Sequence, residues 1–434
     1  MAHAWVQPDR PRLTRSGLFL VAAILLFPVV GAFVAVAAPN LATLQHRSPL
    51  VLTANHLVTL GWGTMIALGA LHQLLPAAAG VRHEPPRLVV WHFVMHVGGV
   101  ISLTAGLWSH QTGPLIAGGS AVIVSVLISA GTAWWVLARR TRWSWPLTYV
   151  SVAIAGLVAA TAWGTLLALN WRLGFWKALL LPMGLAVHLT LGLVLWFVFI
   201  IAGVSYYLLV RFTTHRTLDG THVRAVFILL LTGSGAVLSG LFIHPLLLRA
   251  GLLALTAGGV LYSVDLRLFI RAWGRTLDIT RVHWQIIALE TILLSAGFLA
   301  YAMGLAIVRE PSRWIVSGVA LFLTGWVTLA ITGQAYKVTP FLMWYYRFAL
   351  GMPAYDVPRL EAPYWPRTAL PPLVLLGAAG PLISLGVMLR TPVISGAGGA
   401  AYFLGSCVFS WLLGYSWLPK LWQLRGGFTP PPRK

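Results

Sequence analysis

Along the chain, apolar runs long enough to cross a bilayer alternate with short polar links. They lie near residues 16 to 38, 50 to 76, 89 to 109, 114 to 138, 146 to 169, 178 to 210, 223 to 247, 250 to 271, 283 to 308, 313 to 336, 369 to 389 and 395 to 419. A hydrocarbon core takes about 20 apolar residues as a helix, so the pattern predicts about twelve transmembrane helices and no soluble domain. The run at 250 to 271 fits least well, because Asp265 and Arg267 fall inside it and its link to the previous run is short. One link is long, Lys337 to Arg367. It carries FLMWYYRF and several prolines, the aromatic and basic mixture of a segment lying in the membrane interface.

The second run, TANHLVTLGWGTMIALGALHQLLP from Thr53 to Pro76, is apolar nearly all round yet holds His56. An imidazole in such a helix needs a partner. The separations of Gly61, Trp62, Gly69 and Pro76 return as Gly325, Trp326, Gly333 and Pro340, and a weaker copy keeps Trp196 and Gly203. In that alignment Thr190 and Ala320 fall opposite His56, and His188 lies two residues before Thr190. Related helices about 130 residues apart predict a single transmembrane domain over 1–434, built as three pseudo-repeats of four helices near 16–138, 146–271 and 283–419.

Composition agrees with this pattern. Of 434 residues, 58% are hydrophobic and 9% charged, and the mean hydropathy is +0.82. That excludes an ordinary soluble protein and gives the fold class, an all-α polytopic membrane protein whose first partner is the lipid bilayer. A net charge of +21 would suit a nucleic-acid binder, but the basic residues sit between apolar runs in ones to fours, as membrane loops do, so no nucleic acid is expected. Of the 30 Lys and Arg, 23 fall on the side of the termini and 7 on the other, which predicts cytoplasmic termini. The stretch 17–38 is followed by Pro39-Asn40 and not by a small-residue cleavage pattern, so it reads as a retained span. The one cysteine, Cys407, leaves any metal to histidine, methionine or oxygen ligands.

Topology then ranks the side chains that carry chemistry. His56 is expected about two turns below the outer surface, with His188 within roughly 3 Å of the same height. Two histidines at one depth on separate helices suit axial ligation of a planar tetrapyrrole, and the plain alternative is that each bonds a neighbouring carbonyl or hydroxyl. His92 and His96 stand one turn apart on one helix, a metal-ligand spacing, with His72 expected nearby; together they suggest a second heme or a copper site. The remaining histidines are expected near one surface or the other. Glu290 has no basic residue on its own helix beyond the first turn and is a candidate for proton handling. Asp265 is expected to pair with Arg267 or another arginine at its end of the span. Arg47, Arg172 and Arg249, on the outer side, suit heme propionates or lipid headgroups equally.

HLVTLGWGTMIALGALHQLLP resembles the histidine-bearing helices of heme-copper oxidase catalytic subunits, especially the cbb-type oxidases and nitric oxide reductases. HLTLGLVLWFVFIIAGVSYYLLV is similar to their sixth helix, which carries a copper-binding histidine and ends in a Tyr-Tyr pair like Tyr206-Tyr207. Twelve helices in three pseudo-repeats is also that family's architecture. The resemblance implies a heme ligand at His56 and a metal ligand at His188. Two family features are missing. The tenth helix has Ala320 where the family has a His-x-His pair, and the seventh has only His244 near its far end instead of a His-His pair. Divergent members such as the NnrS-type heme and copper proteins are closer in kind.

The expectation is therefore a heme-binding protein of a bacterial-type inner (plasma) membrane, holding heme b through His56 and His188, with copper as a further cofactor. Its role would be electron transfer or nitric oxide or oxygen chemistry, with a cytochrome c-like or quinol electron donor and partner membrane subunits. One alternative is a terminal oxidase or nitric oxide reductase subunit with relocated ligands at His92 and His96. Another is a heme or metal transporter or handling protein.

Overall fold

The computed structural model describes residues 17–81, 86–174, 183–213, 220–273, 278–305, 310–344 and 366–416. Among them there is no strand, and twelve helices are long and apolar enough to cross a membrane. They are α1 (Gly17–Ala42), α2 (Pro49–Ala79), α3 (Arg87–Ser109), α4 (Thr112–Ala138), α5 (Trp145–Trp171), α6 (Met183–Arg211), α7 (Gly220–Gly240), α8 (Pro245–Ala272), α9 (Ile279–Ala302), α10 (Pro311–Leu342), α11 (Arg367–Met388) and α12 (Pro392–Tyr415). The chain is an all-α, multi-pass membrane protein.

Two boundaries differ from the hydropathy pattern, each for a local reason. The run expected to reach residue 247 stops at Gly240, because His244 is extended and its ring accepts a hydrogen bond from Leu246 N, capping α8 with Pro245 at the first position. The same cap makes the expected run at 250 to 271 a full span. The long link begins later than Lys337, since the helix continues to Trp344 and Lys337 pairs with Asp278 at 2.6 Å. Residues 345–365 of that link lie outside the described residues.

The third and fourth helices of each predicted quartet, α3 with α4, α7 with α8 and α11 with α12, pack as close hairpins, and α1 closes the ring against α12. Parts of α2, α6 and α10 line one cavity, and α10 is the most enclosed helix, with 83% of its most apolar stretch buried. Each of the three contains a π-helical segment: Leu57–Thr64, Thr190–Val198 and Phe322–Val327. Each segment surrounds a buried tryptophan, Trp62, Trp196 or Trp326. The aligned glycines that follow all touch the first helix of their own quartet. A Cβ on Gly69 would lie 2.7 Å from Phe19 Cβ, on Gly203 2.8 Å from Tyr149 Cβ, and on Gly333 2.7 Å from His283 Cβ. Only glycine permits that approach, which accounts for the spacing shared along the sequence.

Candidate functional site

His56 closes the first α-helical stretch of α2, immediately before the π-helical turns. Its Nδ1–H donates to Leu52 O at 2.8 Å, one turn back, which leaves Nε2 as the acceptor nitrogen with no hydrogen bond among the described residues. His188 occupies the corresponding place on α6, two residues ahead of the π segment that begins at Thr190. The two rings are 6.4 Å apart, centre to centre, and 24° from parallel. His188 Nδ1 is buried and without a hydrogen-bond partner, while the ring also meets the carbonyl of Ala160 on α5.

Room for His188 comes from Gly164, also on α5. A Cβ there would sit 2.7 Å from Cε1 and 3.2 Å from Nδ1 of the ring. Trp163 next to it donates to Gly184 O at 2.8 Å, holding the start of α6 against α5. Nothing in the pattern of α5 marks Gly164. Only its depth, once His188 is placed, could have singled it out.

The arrangement leaves one nitrogen without a hydrogen bond on each of two neighbouring imidazoles, Nε2 of His56 and Nδ1 of His188, the latter lying beside Gly164. A metal bonded to two imidazole nitrogens on opposite sides, at roughly 2.0–2.1 Å each, holds the ring centres about 6 Å apart. The 6.4 Å separation of the ring centres is compatible with one iron or copper held by both imidazoles. A cavity of about 90 Å³ is lined mainly by α2, α6 and α10 and by neither histidine. Arg47 is exposed in the link before α2. Arg172 follows α5, and its side chain lies outside the described residues.

A second group of imidazoles occupies the other half of the first quartet. His72 Nε2 and His92 Nδ1 are 2.8 Å apart, and Phe19 packs against both rings. His92 Nε2 is buried without a partner. His96 is fully buried with both nitrogens engaged: Nε2 donates to Leu60 O at 3.0 Å and Nδ1 accepts from Ser125 Oγ at 3.1 Å. The rings of His92 and His96 stand 6.3 Å apart, centre to centre, and 81° from parallel, with His92 also bonded to His72 and His96 tied to the π-helical part of α2. No three His, Cys, Asp or Glu side chains converge as a metal site among the described residues.

Glu290 is 2% exposed, and neither of its carboxyl oxygens has a hydrogen-bond partner. It presses against the third π segment, where a Cβ on Gly325 would come within 3.0 Å of its Cδ. Next to it Trp326 Nε1 donates to Thr291 Oγ1 at 2.8 Å. The predicted Asp265–Arg267 pair does not form. Asp265 is fully buried and accepts from Tyr206 Oη at 2.8 Å, with His222 Nδ1 at 3.1 Å on its other oxygen. His283, expected at a surface, is fully buried and bonds Ile279 O.

No family model matches this chain, and no curated protein matches it.

Proposed function

We propose that the chain is a heme-binding membrane protein similar to the catalytic subunit of heme-copper oxidases, in which His56 and His188 hold a b-type heme. The observation that carries this reading is the 6.4 Å spacing of the two rings, each with an unused nitrogen. His56 would bind through Nε2, with Leu52 O accepting the other N–H and so fixing the tautomer. His188 would bind through Nδ1, beside the opening left by Gly164. A bound heme would supply one-electron chemistry at that depth. The chain's own residues orient the two imidazoles, Leu52 O holding His56 and Gly164 making room for His188. In this reading the protein works in a bacterial-type inner membrane with both termini in the cytoplasm, draws electrons from a cytochrome c-like or quinol donor, and acts in electron transfer or in nitric oxide or oxygen chemistry.

A second reading, a single copper ion held by the same two nitrogens, is favoured by the closeness of the rings and by the absence of either histidine from the 90 Å³ cavity. One experiment separates the two. Purified protein is examined by reduced-minus-oxidised spectroscopy and metal analysis, then again as His56→Ala and His188→Ala. The heme reading expects a six-coordinate b-type spectrum lost in both variants. Copper without a heme spectrum would select the second reading, and unchanged metal content and spectra in both variants would reject the pair as a site.

A further inference from the structure

The three quartets match position by position where the first helix meets the second. Phe19, Tyr149 and His283 face Gly69, Gly203 and Gly333. Seven residues further along the first helices stand Leu26, Gly156 and Glu290, and eight residues earlier on the second helices stand Gly61, Leu195 and Gly325. These meet as well. A Cβ on Gly61 would lie 3.3 Å from Leu26 Cδ2, on Gly156 2.7 Å from Leu195 Cβ, and on Gly325 3.0 Å from Glu290 Cδ. In two quartets, then, the contact is a leucine against a glycine. In the third a carboxyl takes the leucine's place, so packing does not call for it.

That carboxyl is 2% exposed, and neither of its oxygens has a hydrogen-bond partner. An unpaired carboxylate buried in a membrane protein costs far more than the neutral acid, so Glu290 is un-ionised and holds a proton. His283, two turns back along α9, is fully buried too. Its Nδ1–H donates to Ile279 O at 2.8 Å, which leaves Nε2 as an acceptor nitrogen without a partner. Nearer the helix start, Asp278 interacts electrostatically with the ring and pairs with the partly exposed Lys337. On α10, between the levels of Gly333 and Gly325, stand the fully buried hydroxyls of Thr332 and Thr328. Neither α1 nor α5 has a carboxyl or an imidazole at the positions of His283 and Glu290.

We propose that this face of α9 carries protons: Glu290 binds an exchangeable proton inside the membrane, and His283 passes it to and from the end where α9 begins. In uptake, a proton from the Asp278 end adds to His283 Nε2. The imidazolium then gives it up from the same nitrogen toward the Glu290 carboxylate and returns to neutral, and release reverses both steps. Two turns are about 10 Å, longer than one hydrogen bond, so the second step runs over water beside the Thr332 and Thr328 hydroxyls. The site does not depend on the His56 and His188 pair.

Infrared spectra of the full-length protein in lipid nanodiscs, moved from H2O to D2O, test this through the carbonyl band of un-ionised carboxyls. Wild type at pH 7 is expected to show such a band and to shift it as deuterium replaces the proton. Glu290→Leu, which copies Leu26, is expected to lose the band and to melt no lower than wild type, whereas Asp265→Asn keeps it. If Glu290→Leu does not fold, Glu290→Gln is expected to remove the band in its place. His283→Phe, which copies Phe19, is expected to keep the band and slow its shift at least tenfold; His283→Gln serves if the phenyl ring is not tolerated. A band absent from wild type, or unchanged by substitution of Glu290, would overturn the proton site. A shift as fast in the His283 variant as in wild type would overturn the route through the imidazole.

Discussion

The imidazoles of His56 and His188, 132 residues apart in the chain, face each other at 6.4 Å and 24° from parallel. Their approach depends on a residue that is not itself a ligand. Gly164 leaves room for the His188 ring, and a branched side chain there would strike Cε1 and Nδ1. If the pair holds a metal as proposed, Gly164→Val is expected to remove most of it while the protein keeps its helical content. Metal analysis and circular dichroism of the same sample check this; full metal occupancy in the variant would show that the ring has room to move.

At the far end of the bundle from the start of α1, Arg313 joins three helix ends. Its Nη1 donates to Ala42 O at 2.9 Å and to Val387 O at 2.6 Å, and its Nε donates to Glu310 Oε2 at 2.9 Å. Glu310 in turn pairs with Arg390. Arg313→Ala leaves two carbonyls at the ends of α1 and α11 without their donor, which is expected to cost about 2–4 kcal/mol. Arg313→Lys is expected to recover only part of it, because an ammonium on a flexible stem does not reproduce the planar fork. Denaturation midpoints in one detergent measure both; a lysine variant as stable as wild type would mean that charge alone, not the fork, holds the clasp.

Much of this fold was legible because a bilayer imposes a length and an apolar surface that a sequence must show. Contacts between helices were not. Asp265 was expected to pair with Arg267, yet residues two apart on a helix do not face each other, and the partners it finds are Tyr206 on α6 and His222 on α7. The depth match of His56 and His188 could be read from aligned tryptophans. His72 was expected near His92 and His96, and its Nε2 lies 2.8 Å from His92 Nδ1; the π-helical turns depend on backbone bonding that no residue type announces.

The aligned glycines separate packing from propensity. At Gly333 an added methyl would meet His283 Cβ at 2.7 Å, an atom fixed to the backbone of α9, whereas at Gly98 nothing lies within 4 Å. Gly333→Ala is expected to destabilise by about 1–3 kcal/mol through overpacking. Gly98→Ala is expected to be neutral or to stabilise by up to about 1 kcal/mol through helix propensity. Thermal unfolding of the two variants side by side gives the sign of each, and equal values would remove the case that close approach fixes Gly333.

His96 ties the second imidazole group to the helix that carries His56. Its Nε2–H donates to Leu60 O, four residues after His56 and inside the π segment 57–64, where the widened turn leaves a carbonyl for an outside donor. His96→Leu removes that donor and also leaves Ser125 Oγ without its imidazole, an expected loss of about 1–3 kcal/mol. The more telling effect is expected one turn away. On the proposed reading, if the π turn holds His56 in place, its loosening lowers retention of a metal at His56 as well, although His96 is not one of the two proposed ligands. His96→Gln keeps an amide donor for Leu60 O and is expected to restore much of both stability and retention. Dialysis against a chelator, followed by metal analysis, compares the three proteins. Retention in His96→Leu equal to wild type, alongside a lowered denaturation midpoint, would confine His96 to packing and leave the π turn without a part in positioning the ligand.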